Sequence, residues 1–510
     1  MNPLAGYDWD SPPADHLVTS AADDGSGSLR QVLADAADGE VVGFDPALAG
    51  ETIALETELQ VGASVTLDGT GAPGVTLDGQ GATRILTVAK GRDTTFVGLR
   101  FVGGSTTGPG GAIHVGQSDE GQPKGSVAII GCAFERNIGG RGGAVRVGWR
   151  INALVRDSVF VENDGSGGSE DDRGFSGGAI STSQSGELIV QRCRFDRNVG
   201  WNGGAIYNIL QPLVIEDSVF IDNEGASGEG GGAIFTDGGN PAGPGNDPQT
   251  GVEGQITLRR LWVEGSRGAG YGGALLLWGY PRDVITIESS VFRDNTCDTG
   301  NDGSAKGGVG RIHALDRMTI RDTVFAGNRT VQQGGALWID GSGPFEMINA
   351  TFSGNVVEDD AGGAFNYNGQ GPLTIESSAF VENHAGRACG AFWYGNADLD
   401  VTVRNTVFAL NTAGDIDQRN VSFQPNDGGG ILEFAVEQPD RGRVSPDSLF
   451  ADPLLGDLTP TNGTLLHPLM DGSPAIGAAG ASAPDWDARA AERDGEPDIG
   501  PYEADATCQP

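Results

Sequence analysis

The chain is 510 residues long and carries 69 acidic against 32 basic side chains, for a net charge of −37, together with 85 glycines. That balance excludes nucleic acid and anionic membrane surfaces as partners, because both need clustered Lys and Arg. No run of about 18 apolar residues occurs, so no segment reads as a direct membrane span, and the glycines lack a collagen period and therefore mark turns.

The chain opens on MNPLAGYDWDSPP, which has neither the basic region nor the apolar run of a signal peptide. The expectation is either a cytoplasmic protein or one whose signal was removed. Gly27–Ala37 (GSLRQVLADAA) predicts a short amphipathic helix capping the N-terminal end.

Two short motifs then alternate along most of the chain. F-x-x-N occurs at Phe134–Asn137, Phe160–Asn163, Phe195–Asn198, Phe220–Asn223, Phe292–Asn295, Phe325–Asn328, Phe352–Asn355, Phe380–Asn383 and Phe408–Asn411. G-G-A-[aliphatic] occurs at Gly142–Val145, Gly177–Ile180, Gly203–Ile206, Gly231–Ile234, Gly272–Leu275, Gly334–Leu337 and Gly362–Phe365. The closest phenylalanines, Phe195 and Phe220, are 25 residues apart. That period is too short for a propeller blade, and the L-x-x-L-x-L spacing of leucine-rich repeats is absent.

The segment Leu213–Asn223 (LVIEDSVFIDN) shows how one repeat works. Apolar residues at alternate positions make a short strand with one buried face. The Asn ends it in left-handed backbone and stacks on its counterparts in neighbouring coils. Two glycines permit the next corner. The fold class is therefore all-β, a single-stranded right-handed parallel β-helix, with an irregular C-terminal cap. The expected divisions are 1–50 (N-terminal segment and cap), 51–446 (β-helix) and 447–510 (C-terminal cap or anchor-proximal segment). Two coils, around Leu258–Gly265 and Gly307–Ile312 (GGVGRI), depart from the motif and are expected to be irregular.

Five cysteines give little information on compartment. Cys132 and Cys193 share one inward column with Ser158 between them. Two strand spacings place their Cα atoms ~9.6 Å apart, beyond disulfide reach.

The GGA-I and F-x-x-N pair resembles the repeats of polymorphic outer-membrane-type proteins. The run VTSAADDGSGSLRQVLADAADGEVVGFDPALAGETIAL is similar to the opening segment of bacterial surface β-helix proteins. The run LFADPLLGDL…LHPLMDGSPAIGAAG…EPDIGPYEAD resembles the choice-of-anchor Q segment. The resemblance covers roughly residues 17–505 and implies secretion or display on a bacterial cell surface. It supplies no catalytic residues, and no sorting helix or lipid-attachment signal follows Tyr502.

Function must then come from sites. The residue after the aliphatic of each GGA motif forms one outward column: His114, Arg146, Ser181, Tyr207, Phe235, Leu276, Trp338, Asn366 and Trp393, with Trp149, Trp278 and Tyr280 near the same strand ends. His114, Arg146, Tyr207, Phe235, Trp278, Trp338 and Trp393 are the candidate ligand-binding residues, because stacked aromatics suit sugar rings or a protein interface. Insertion loops folding over this face are the competing account of the aromatics. At the corner after the turn Asn, Asp164, Glu170, Asp171, Asp172, Asp298 and Asp302 are candidate Ca²⁺ ligands, although none fits an EF-hand spacing and solvated acidic loops explain them as well.

The leading expectation is a secreted binding or adhesion protein without catalysis, its partner a glycan or a surface protein. The alternative is a polysaccharide lyase or glycoside hydrolase acting on acidic polysaccharide in a sheet groove. Its candidates are the triplets Glu170-Asp171-Asp172 and Glu358-Asp359-Asp360, and His114 and His313. The deciding observation is whether an outward groove brings two carboxylates and a basic residue together.

Overall fold

The computed structural model describes residues 9–168, 176–226, 230–240, 254–414, 420–435, 443–461, 463–480 and 483–504. The chain forms two compact units, Met1–Gln255 and Ile256–Pro510. Both are stacks of parallel β-coils, and the fold is the predicted parallel β-helix.

In the first unit each full coil gives one strand to each of three sheets. Ile113–Val115, Gly125–Ile130 and Ala133–Glu135 make one such coil, and Val145–Val147, Ile151–Arg156 and Val159–Val161 the next. Strands pair in parallel without slippage, so Ile113, Phe134 and Val127 lie beside Val145, Phe160 and Ala153. The repeat phenylalanines form a fully buried column. Ring centroids from Phe101 to Phe134, Phe160, Phe195 and Phe220 step by 4.8, 4.7, 4.9 and 4.7 Å with near-parallel planes. The core thus repeats at the strand spacing itself. The helix Leu29–Asp35, N-capped by the Ser28 hydroxyl, buries Leu29, Val32 and Leu33 against the strands His16–Val18 and Leu59–Val61.

The turn asparagines form the expected ladder. Asn137 Nδ2 donates to Asn163 Oδ1 at 2.9 Å, Asn163 to Asn198 at 2.9 Å, and Asn198 to Asn223 at 3.0 Å. Each also donates to the carbonyl of the phenylalanine in the preceding coil, as Asn163 does to Phe134 at 3.0 Å. The left-handed residue, however, is the one before the Asn: Arg136, Glu162, Arg197 and Asp222 have φ near +50°. The Asn side chain fills the polar needs of the corner, and its exposed neighbour absorbs the backbone strain. At the next corner Gly142 has φ +85°, and a Cβ on Gly143 would meet the Gly178 carbonyl oxygen at 2.1 Å. Glycine is required there by both conformation and space.

The second unit continues the pattern with the column Phe292, Phe325, Phe352, Phe380 and Phe408 and the ladder Asn295, Asn328, Asn355, Asn383 and Asn411. The two coils expected to be irregular are regular. Val263 takes the inward phenylalanine position, beside Phe292, with Trp262 turned outward. Gly310–Ala314 pairs in register with the strands Leu275–Gly279 and Leu337–Gly341 on either side. An inward side chain at Val263 and an unbroken strand edge suffice to hold a coil without the motif. Near the C-terminus Thr459–Thr461 and Thr464–Leu466 form an antiparallel pair. Leu465 packs on Val291 and Val324, and Ala475 and Ile499 pack with Ala379, Val407 and Leu432, so this segment covers an outward sheet face.

Cys132, Cys193, Cys297 and Cys389 are buried thiols, not disulfides. Burial pushes Cys132 and Cys193 up to about 12, which makes them unreactive. The Cys132 and Cys193 backbone N–H groups each donate to the serine hydroxyl one coil on, Ser158 and Ser218, as the shared column requires.

Candidate active site

The outward column is in register within each unit. In the first unit Thr87, His114, Arg146, Ser181, Tyr207 and Phe235 lie side by side on successive strands. In the second, Leu276, Arg311, Trp338, Asn366 and Trp393 do so. Two places along, Trp278, His313 and Asp340 form a parallel row.

Around these two rows the second unit gathers cations, aromatic rings and a carboxylate. Lys306 pairs with Tyr271 across the neighbouring strands. The Lys306 ammonium stands 4.6 Å from the Trp338 ring centroid and 5.7 Å from that of Tyr271. The Arg311 guanidinium lies 4.3, 5.0 and 5.2 Å from the rings of Tyr271, Trp338 and Trp278. Both cations therefore approach the same two ring systems, an arrangement favourable by about 0.5–2 kcal/mol per contact. Arg311 Nη2 is 3.7 Å from Asp340 Oδ2. Among the described residues the Lys306 ammonium makes no ion pair or hydrogen bond, and the charges of Asp302 and Asp340 act on it from farther off. Burial, then the charge of Arg311, lowers the Lys306 pKa, and both act against the protonated form.

His313 stacks on Trp278 with centroids 4.2 Å apart, and its Nδ1 lies 2.6 Å from Asp340 Oδ1. The carboxylate is an acceptor, so Nδ1 carries the proton and Nε2 is the free ring nitrogen. Gln333 accepts from Trp338 Nε1 at 3.0 Å and donates to Asp360 at 2.9 Å, which fixes the indole. Tyr271 donates to Asp302 at 2.5 Å, and this bond with those from Ser304 holds the Asp302 carboxyl down at about 2.

The first unit's face differs. Arg146 donates to the Thr182 carbonyl at 2.7 Å and to the Ser183 hydroxyl. Burial, with Arg84 and Arg146 nearby, drives His114 down to about 4. Tyr207 is 2% exposed and stacks on Phe235 at 4.9 Å. Arg141, Arg146, Trp149, Thr182 and Tyr207 line a cleft of about 350 Å³.

The column was expected to be either an exposed aromatic ladder or a face covered by other segments. Tyr207 and Trp338 are covered, and Trp393 rests on Ala361, Ala388 and Cys389. Of the predicted residues, Trp278 and Trp338 join the cation cluster together with His313, and His114, Arg146, Tyr207 and Phe235 belong to the other face. Arg311, Lys306, Tyr271 and Asp340 were missed. The signal for Arg311 and His313 was present in GGVGRIH, once that coil is aligned on the column rather than set aside.

Described members of the calcium set do not converge. Asp164 accepts from Ser166, Asp298 is ion-paired with Arg267, and Asp302 is taken by Tyr271 and Ser304. Glu170, Asp171 and Asp172 lie outside the described residues. Among the described residues no group of three His, Cys, Asp or Glu is placed to hold a metal ion. Glu358 and Asp360, expected to lack basic partners, face Arg329 at 2.7 Å and Arg387 at 3.5 Å.

No protein-family model matches the chain, and no curated protein matches it. Two solved structures that resemble it are a pectate lyase, Pel9A, at 13% identity and TM-score 0.30 over 97% of each chain, and a PL6 alginate lyase in complex with a trisaccharide. The second is 13% identical with TM-score 0.36, over 90% of this chain and 92% of the other. Such similarity speaks to the fold alone. The expectation of an adhesion protein without catalysis is nonetheless corrected: the solved structures alike in fold are named as polysaccharide lyases. The same outward face brings one carboxylate, Asp340, beside the basic groups Arg311 and Lys306.

Proposed function

We propose that the protein is a polysaccharide lyase that cleaves a uronate-containing chain at the Lys306–Arg311–His313 face of the second unit. The observation that carries this reading is Lys306, a partly buried ammonium packed on the Trp338 and Tyr271 rings with its pKa lowered by burial and by Arg311, beside a guanidinium set among three aromatic rings and Asp340. β-Elimination needs a base for the proton α to the sugar carboxylate and a cation for the charge that develops on that carboxylate. Lys306 in its neutral form takes the proton, and Arg311 holds the carboxylate. As the double bond forms, the glycosidic carbon–oxygen bond β to the carboxylate breaks. His313, held by Asp340 through its Nδ1–H, acts in the doubly protonated form: it gives the proton on Nε2 to the departing oxygen and is left as the neutral ring. Trp278 and Tyr271 offer flat surfaces for sugar rings.

Hydrolysis fits the same groups less well. It needs two carboxylates about 5–10 Å apart, one of them kept protonated. Here Asp302 is held strongly ionised by Tyr271, and Asp340 is engaged by both Arg311 and His313. The proposal extends to the setting: polymorphic outer-membrane-type repeats, an anchor-proximal C-terminal segment, and action outside the cell or on a bacterial surface. Incubation with a panel of uronate polysaccharides tests the reaction. Unsaturated non-reducing ends, seen as new ultraviolet absorbance and a dehydrated product mass, support elimination. Saturated reducing ends alone would make it a hydrolase.

A further inference from the structure

A second chemically competent pair lies under the C-terminal segment. Ser353 ends the strand Thr351–Ser353 on the outward side of the phenylalanine-bearing sheet, and His467 follows the strand Thr464–Leu466 of the covering segment. Ser353 Oγ is 2.8 Å from His467 Nε2, and His467 Nδ1 is 2.9 Å from the Gly456 carbonyl oxygen. A carbonyl only accepts, so Nδ1 bears the ring proton. In the neutral ring Nε2 then accepts, and the serine hydroxyl is the donor. That is the arrangement of a nucleophile and its base, with a peptide carbonyl in the orienting role a carboxylate often takes.

The pair opens onto a cleft of about 290 Å³ between the sheet and the covering segment. Val381, Phe434 and Leu455 give it apolar walls, and Glu382, Asp452 and Asp457 an acidic rim. Burial holds the His467 pKa below its usual value, against the opposing pull of Gly456, Glu382 and Asp457. The ring is therefore the free base near neutral pH. Asp457 and Leu458 also line the cleft, and their backbone N–H groups make no hydrogen bond to protein among the described residues.

We infer that Ser353 and His467 form an esterase site for short acyl esters of neutral alcohols, such as O-acylated sugars. The size of the cleft suits a small acyl group. Its carboxylates disfavour an anionic substrate and favour release of the carboxylate product. Ser353 Oγ attacks the ester carbonyl while its proton passes to His467 Nε2, and the ester C–O bond breaks as the leaving oxygen takes that proton. Water then attacks the acyl-serine, giving a proton to Nε2, and the carboxylic acid departs as Oγ regains its hydrogen. This inference does not rest on the elimination site.

The test uses the full chain and a fluorophosphonate probe, with p-nitrophenyl acetate as turnover substrate. The expected result is one covalent adduct, located on Ser353 by peptide mass spectrometry. Ser353→Ala should abolish it, and His467→Gln should slow labelling and turnover at least ~100-fold, with melting temperatures recorded alongside. Wild-type protein that stays unlabelled at Ser353, or Ser353→Ala protein with undiminished ester turnover, would overturn the inference. Because the wild-type labelling decides by itself, a variant that fails to fold does not leave the question open. Loss of esterase labelling with elimination intact would separate this site from the uronate site.

Discussion

The outward faces of the two units are built on the same column of the same repeat, yet they handle their cations in opposite ways. In the first unit Arg146 is fastened to the Thr182 carbonyl and the Ser183 hydroxyl, and His114 is kept neutral by burial and by two arginines. In the second, Arg311 is held by three aromatic faces and Asp340, and the ammonium of Lys306 packs on two rings, with Asp302 and Asp340 acting on it only at longer range. A cation already satisfied by protein acceptors positions loops or ligands; one left without an anion is available for chemistry.

The sharpest way to break that contrast is to exchange the arginines for alanine in turn. Arg311→Ala should lower kcat for uronate elimination at least ~100-fold, the usual scale for a charge stabiliser in acyl or enolate chemistry. Arg146→Ala should change it less than ~3-fold. Equal losses in both would erase the distinction. Weaker effects are expected one step out: Asp340→Asn should cost about 10-fold, as for an outer partner of an acid–base group. The loss should fall on kcat rather than KM, since His313 then loses the acceptor that orients its ring. A change in KM with kcat unchanged would contradict the role.

Stability should not distinguish the units, because the ladder is common to both. Asn328→Ala removes a side chain that donates to Asn355 and Phe292 and accepts from Asn295. A cost of about 3 kcal/mol follows from leaving such buried partners unpaired, measurable as a reduced chemical-denaturation midpoint. Asn163→Ala should match it within error. The smallest effect is a pH difference. The folded-state pKa of His114, about 4, lies below its unfolded value near 6.5. Its contribution is complete above pH ~6.5 and is lost as pH falls toward 4. The stability gap between wild type and His114→Gln should close over that window, and a gap independent of pH would refute the assignment.

Much of the fold was readable because its determinants recur. A phenylalanine and an asparagine at fixed spacing state the inward column and the corner in every coil, and the Asn137–Asn223 ladder follows from them. The register of His114, Arg146, Tyr207, Trp338 and Trp393 was readable for the same reason. Lys306 was not: it ends a long insertion after Asn295, and nothing local says that this insertion returns to pair with Tyr271. Arg311 was lost because GGVGRI replaces the expected aliphatic with glycine, although an in-register strand tolerates that change when its neighbours supply the pairing. The burial of Tyr207 and Trp338 was one of two open readings, since it depends on what comes to rest over the face.

The most direct measurement follows unsaturated-product formation from a uronate polysaccharide by wild type, Lys306→Ala and Arg146→Ala, with thermal unfolding recorded for each. The account predicts product from wild type and Arg146→Ala, and a loss of at least ~100-fold in a Lys306→Ala protein of unchanged melting temperature. Product formation by Lys306→Ala at the wild-type rate, or no unsaturated product from any uronate polysaccharide, would contradict it.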